Sequence, residues 1–116
     1  MAYTKEKLSG STNGRGIKVV ATSSTGTTIH ATGTGNIDEV YLYAYNSDTT
    51  ARLLTIQFGG TTSPDDDIKV TIPAQSGLFL VVPGIPLFPS GSAITVYAYA
   101  ATANVITISG YVNRIS

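Results

Sequence analysis

The stretch Ile37-Asp38-Glu39-Val40-Tyr41-Leu42-Tyr43-Ala44-Tyr45, followed after a polar break by Ala51-Arg52-Leu53-Leu54-Thr55-Ile56-Gln57-Phe58-Gly59, decides the fold class. Successive side chains of a strand point to opposite faces, so a period of two marks a strand with one buried face. In the first segment Val40, Leu42 and Ala44 share a face, and Tyr41, Tyr43 and Tyr45 share the other. In the second, Arg52, Leu54, Ile56 and Phe58 alternate with Leu53, Thr55 and Gln57. β-Branched and aromatic residues dominate both segments, and these pack well on a pleated surface. A slip of one residue would exchange the faces, so the register is well specified.

The same pattern recurs on both sides of this stretch. Runs at 17–22, 27–32, 37–45, 51–59, 68–73, 78–82, 93–101 and 104–112 are separated by clusters of Gly, Ser, Thr, Asn, Asp and Pro. Such spacing predicts short antiparallel strands joined by tight connections. Ile68, Val70 and Ile72 point inward with Lys69 and Thr71 outward, and Ile94, Val96 and Ala98 alternate with Thr95, Tyr97 and Tyr99. No segment has the 3.6-residue period of a substantial helix, and only Thr4–Leu8 could form a single turn of one. The expected fold is all-β: a single-domain antiparallel β-sandwich, an eight-stranded jelly roll, with a flexible N-terminal arm. Val40–Tyr45 leading into Ala51–Gly60 is echoed by Val96–Ala100 leading into Asn104–Gly110, which suggests two similar hairpins in a Greek-key arrangement.

Two segments stand apart. Residues 1–14 pass from Lys5-Glu6-Lys7 into Ser9-Gly10-Ser11-Thr12-Asn13-Gly14, a polar stretch read as the arm, with the β-sandwich domain over 15–116. The arm is either a frayed terminus or a reach towards a neighbouring subunit. The five prolines lie between runs or at their ends, as expected if Pro is kept out of central strands. Val82-Pro83-Gly84-Ile85-Pro86-Leu87-Phe88-Pro89 is apolar and is expected not to form a strand. It reads either as a buried corner between sheets or as an exposed apolar loop that docks into a partner.

The bulk numbers narrow the function classes. A chain of 116 residues is one domain's worth. Without cysteine there are no disulfides and no thiolate metal sites. The start lacks the apolar core of a signal peptide, and no apolar run reaches the roughly 20 residues of a membrane span. Synthesis in a cytoplasm and no membrane partner are therefore expected. Seven basic and seven acidic side chains cancel, against 28 Ser and Thr, so nothing draws the surface towards nucleic acid or anionic lipid. Sparse charge also gives little repulsion between copies.

No catalytic constellation emerges. His30 is the only histidine, no Gly-x-Ser-x-Gly elbow accompanies it, and it reads as a strand residue facing solvent or a subunit boundary. Asp65-Asp66-Asp67 and Asp38-Glu39 could in principle serve acid–base chemistry or bind calcium. The Gly59-Gly60-Thr61-Thr62-Ser63-Pro64 context instead predicts aspartates that cap turn amides, and whether they also hold an ion stays open. Gly14-Arg15-Gly16 and Gly33-Thr34-Gly35 precede no helix and read as turns. Tyr41, Tyr43 and Tyr45, with Tyr97 and Tyr99 able to join them, make an aromatic face. A single-strand platform would need surrounding cations, and only Arg52 is near in sequence. Carbohydrate stacking and burial against a neighbouring subunit both remain open. No catalytic, cofactor or metal residue is assigned.

Asp38–Asn46, Leu54–Gly60, Pro64-Asp65-Asp66, Val70–Gly77, Val81-Val82-Pro83-Gly84 and the ending Val105–Ile115 together resemble small structural proteins of tailed bacteriophages with capsid decoration or cement roles. The resemblance covers residues 36 to 116. It implies a compact jelly roll, usually trimeric, seated on the outer capsid surface between capsomers and bound to the major capsid protein. Such a protein is made in the bacterial host cytoplasm and ends in the virion. By the resemblance, capsid contacts are expected from the arm (Lys5, Lys7 and the adjacent Arg15) and from the apolar loop (Ile85, Leu87, Phe88). Subunit contacts are expected from Tyr41, Tyr43, Tyr45, Tyr97 and Tyr99. A tail, neck or fibre-base component and a lectin-like carbohydrate-binding module are the alternatives.

Overall fold

The period of two between Ile37 and Asn46 becomes a ten-residue strand in which Asp38, Val40, Leu42, Ala44 and Asn46 are all buried and the residues between them are half-exposed. This is the central strand of the molecule. The computed structural model describes residues 3–115, and among them every regular element is a strand: β1 (Tyr3–Lys7), β2 (Ile17–Lys18), β3 (Thr27–Ala31), β4 (Ile37–Asn46), β5 (Arg52–Phe58), β6 (Asp67–Ile72), β7 (Phe79–Leu87), β8 (Thr95–Ala100) and β9 (Ile106–Ile115).

The strands form two antiparallel sheets. The first has the order β1-β9-β4-β7 with β2 also on β9, and the second has the order β3-β8-β5-β6. β1 and β2 pair with successive parts of β9, Lys7 lying opposite Tyr111 and Ile17 opposite Ile108. They are thus two pieces of one edge strand, and counting them so gives eight strands in two layers. From β2 to β5 and from β6 to β9 each connection crosses between sheets, and β5–β6 is a hairpin within one sheet. This is the connectivity of an eight-stranded jelly roll.

The sequence echo has a structural counterpart, though not as hairpins. β4 and β5 lie in different sheets, as do β8 and β9. Each pair is an arch over the sandwich, and the two arches pair reciprocally, β4 with β9 and β5 with β8. Val40, Leu42 and Ala44 in one arch match Val96, Ala98 and Ala100 in the other, all buried against the shared interior.

Between the sheets lies one apolar core of Val40, Leu42, Leu54, Ile56, Ile72, Val96, Ile106, Ile108 and Val112, each no more than 1% exposed, with Ile29 and Val19 at its margin. Burying each such side chain contributes about 1.5–3 kcal/mol before conformational entropy is subtracted. The core has polar ends. Asn46 donates from Nδ2 to the Ile72 and Thr50 carbonyls and accepts the Asp48 amide, tying β4 to the β4–β5 arch and the end of β6. At the other end of β4, Asp38 is fully buried and accepts from both Arg114 and His30.

Four expectations from sequence change here. Of the arm over 1–14, Met1 and Ala2 lie outside the described residues, but Tyr3–Lys7 is strand β1 and Leu8 is 1% exposed. A polar edge strand shows no apolar alternation, and a single buried leucine suffices to anchor it. Val82–Leu87 continues strand β7 through Pro83 and Pro86. This is possible because β7 is an edge, where a missing N–H costs no ladder bond on the open side. Thr55 and Gln57, expected outward, are 2% and 1% exposed. The loop before β3 meets Gln57, which accepts the Gly26 amide and donates to Ser24 Oγ. His30, expected at a surface or boundary, is also buried.

Candidate interface

His30 enters the interior from β3 of the second sheet, and Asp38 meets it from β4 of the first. A register shift between Thr28 and His30 turns the imidazole inward beside Ile29. Its Nδ1 accepts the Ser9 amide at 3.0 Å, which assigns the proton to Nε2, and Nε2 donates to Asp38 Oδ2 at 2.7 Å. Arg114 on β9 closes the set with two bonds to the same carboxylate at 2.9 and 3.0 Å. Burial acts to raise the Asp38 pKa, but the hydrogen bonds from Arg114 and His30 and their charges outweigh it, so the carboxylate lies below its usual range. The same pairing raises Arg114. Both imidazole nitrogens are engaged, so the cluster joins the sheets and holds no nitrogen free to take a substrate proton.

In the acidic turn, Asp66 caps a backbone amide as its context predicts, whereas Asp67 bonds a side chain. Asp66 Oδ2 accepts the Thr62 amide, and Asp67 Oδ2 accepts the Ser63 hydroxyl. Among the described residues, no three His, Asp or Glu side chains converge as metal ligands.

The tyrosines divide between the two sheets. Tyr41, Tyr43 and Tyr45 lie on the outer face of the first, and Tyr97 and Tyr99 on the outer face of the second. They cannot form one platform, because the whole core lies between them. Tyr41 instead stacks on Tyr111 of β9, with ring centroids 4.7 Å apart and planes 13° apart. Lys5 of β1 covers the far side of Tyr111 at 4.8 Å from its centroid. On the opposite side Tyr41 crosses Gly84 of β7, where an added Cβ would come within 2.7 Å of the ring. The Tyr41 hydroxyl donates to Glu39 at 2.9 Å, and that bond raises its pKa. Lys5, Tyr111, Tyr41 and Gly84 thus make one interlocked row across the sheet. No linear motif marks it, since its members come from four strands.

The edges differ from this locked face. Lys7 donates to the Ser11 carbonyl, which holds the turn after β1, and Arg15 lies in the loop between β1 and β2. Along β7, Leu78, Leu80, Ile85 and Phe88 are 63, 47, 44 and 64% exposed, with Phe79 beside them. Leu87, expected among the contacts, is buried at 9% and packs into the core near Gly59. Leu87 lies opposite the inward-facing Asp38, whereas Ile85, opposite the inward-facing Val40, stays exposed. Leu78, Phe79 and Leu80 fall in a run with strand character, and the exposure of Phe79 and Leu80 follows from the edge position of β7.

β7 pairs with β4 through two register shifts, one on each side of Tyr41-Leu42, and carries Pro83 and Pro86. Bulges and prolines are the devices that stop an edge from adding another strand. β7 therefore offers a partner its side chains more than its backbone. From Val70 to Asn113 the chain has no charged residue, so β7 itself is uncharged, and the half-exposed charge beside it is Glu39 of β4, opposite Pro86.

No protein-family model, no curated protein and no solved structure matches the chain.

Proposed function

We propose that this chain is a non-enzymatic virion structural protein that binds the outer surface of a tailed-phage capsid, through its major capsid protein, and stabilises the shell. The observation that supports the reading best is the set of exposed apolar side chains along and beside β7: Leu78, Leu80, Ile85 and Phe88. A patch of this kind is costly on a free monomer and is relieved when it is covered. The resemblance of residues 36–116 to decoration and cement proteins supplies the kind of partner and favours a trimer as the assembled form. Repetition over a symmetric shell turns modest single contacts into large total stabilisation.

The test is the copy number of the chain in purified virions, measured by quantitative mass spectrometry against the major capsid protein. About one copy per capsid subunit, or per few subunits, is expected. A handful of copies per particle moves the protein to the tail, neck or fibre base. Absence from the particle overturns the reading and directs attention to glycan binding by the tyrosine faces.

A further inference from the structure

The break between β1 and β2 builds a second feature, at the opposite edge of the first sheet from β7. Between Lys7 and Ile17 the chain advances ten residues while its partner β9 advances three, from Tyr111 to Ile108. The surplus folds into a loop, and between that loop, β2 and β9 lies an open groove of about 490 Å³. Thr12, Arg15, Lys18 and Thr107 supply its polar side chains, and Gly10 and Gly16 its backbone walls.

The charges in this groove are distinctive. Of the seven basic side chains, Arg52 and Arg114 are ion-paired, Lys5 lies over Tyr111, and Lys7 bonds the Ser11 carbonyl. Among the described residues, Arg15, Lys18 and Lys69 have no such partner, and two of these three line the one groove. No carboxylate lines it.

The loop is also rigidly built. Asn13 and Gly14 both have positive φ, 57° and 79°, and the Arg15 amide donates to the Thr12 carbonyl at 3.0 Å, which makes a tight turn of the Asn-Gly kind. The buried Ser11 hydroxyl donates to the Arg15 carbonyl at 2.6 Å, so the backbone at Arg15 is held from both sides. Gly16 lies directly on Thr107, where a Cβ would fall 2.3 Å from the threonine methyl. A larger residue there would force Thr107 or the loop to shift. A preorganised site loses less on binding than one that must be ordered.

We propose that this groove binds a phosphoryl dianion. An unpaired guanidinium fork, an unpaired ammonium and two hydroxyls match the double charge and multiple acceptors of a tetrahedral phosphate. No helix N-terminus takes part, so side chains hold the anion. The groove is larger than one phosphate needs and lies within the range of small-molecule sites, so free phosphate and a small phosphomonoester are both admissible sources.

The test is a ¹H–¹⁵N titration of the full chain at constant ionic strength with sodium phosphate, glycerol 3-phosphate, acetate and chloride. Saturable shifts are expected at Thr12, Arg15, Gly16, Lys18 and Thr107 with both phosphates, and weaker ones with acetate. Tighter binding of the ester identifies a small phosphomonoester as the ligand, and equal binding identifies the free ion. Arg15→Gln and Lys18→Gln should each weaken binding about tenfold, whereas Lys69→Gln, which removes the unpaired lysine outside the groove, should not change it. Shifts that do not saturate, shifts that chloride or acetate reproduces, or an equal loss in Lys69→Gln would overturn the site. All three variants change exposed side chains, and the amide spectrum itself reports that the fold is intact.

Discussion

At one edge of the first sheet, β1 and β2 present Lys5, Lys7 and Lys18, with Arg15 in the loop between them; at the other, β7 presents Leu80, Ile85 and the neighbouring Phe88 with no charge of its own. Both edges face the same hazard, since an open strand is a template for another chain. The first is guarded by lysines and by a break in the strand. The second is guarded by Pro83, Pro86 and two bulges, which leave its apolar side chains exposed. Charge keeps partners at a distance, whereas proline and bulges block only backbone pairing. The difference marks β7 as the edge where side chains are open to contact.

The largest effect should come from Asp38, which lies in register with Arg114 on one side and Leu87 on the other and so supports both halves of the sheet. Asp38→Asn leaves Arg114 and His30 without their shared carboxylate and should cost about 3–5 kcal/mol in urea unfolding. An unchanged midpoint would mean that the two edges are held independently. The pH dependence follows the same pair. The folded carboxylate titrates below its usual value of 3.8. It therefore contributes stability that is fully present above that value and is lost as pH falls through the lower folded one. Wild type should lose stability in acid below about pH 4, and Asp38→Asn should flatten that slope. The slope that remains belongs in part to Asp48, which Arg52 also lowers.

Leu8→Ala should cost about 3 kcal/mol, because it removes the buried anchor of the β1 edge. Hydrogen exchange should then rise first in Tyr3–Lys7, while β7 stays protected where it pairs with β4. A uniform rise would show that the β1 edge is not a separate unit. The smallest effect on stability should come from Ile85→Ser combined with Phe88→Ser, within about 0.5 kcal/mol per site. On the proposed function these changes should nevertheless abolish attachment to particles in a co-sedimentation assay. Retained attachment would remove β7 from the interface.

Much of the fold was legible in the order of residues. Eight runs of β-branched and aromatic residues correspond to β2 through β9, and the faces of β4, β6 and β8 follow directly from the period of two. β1 was not legible, because Tyr3-Thr4-Lys5-Glu6-Lys7 has no apolar face to display. Of the candidate interface, the apolar run around Ile85 and Phe88 could be read, but not that Leu87 between them is buried. The His30–Asp38–Arg114 cluster left no sequence signal, since its members lie 8 and 76 residues apart.

The sequence by itself determined an all-β sandwich with alternating faces and a neutral surface, because side-chain period and charge are local properties of the chain. Tertiary structure alone decided which strands became edges, which tyrosines could meet, and that a break in one edge would gather Arg15, Lys18 and Thr107 around a groove. Those outcomes depend on pairings between residues as far apart as Ile17 and Ile108. No local pattern encodes such pairings, which arise only when two sheets bury their apolar faces against each other.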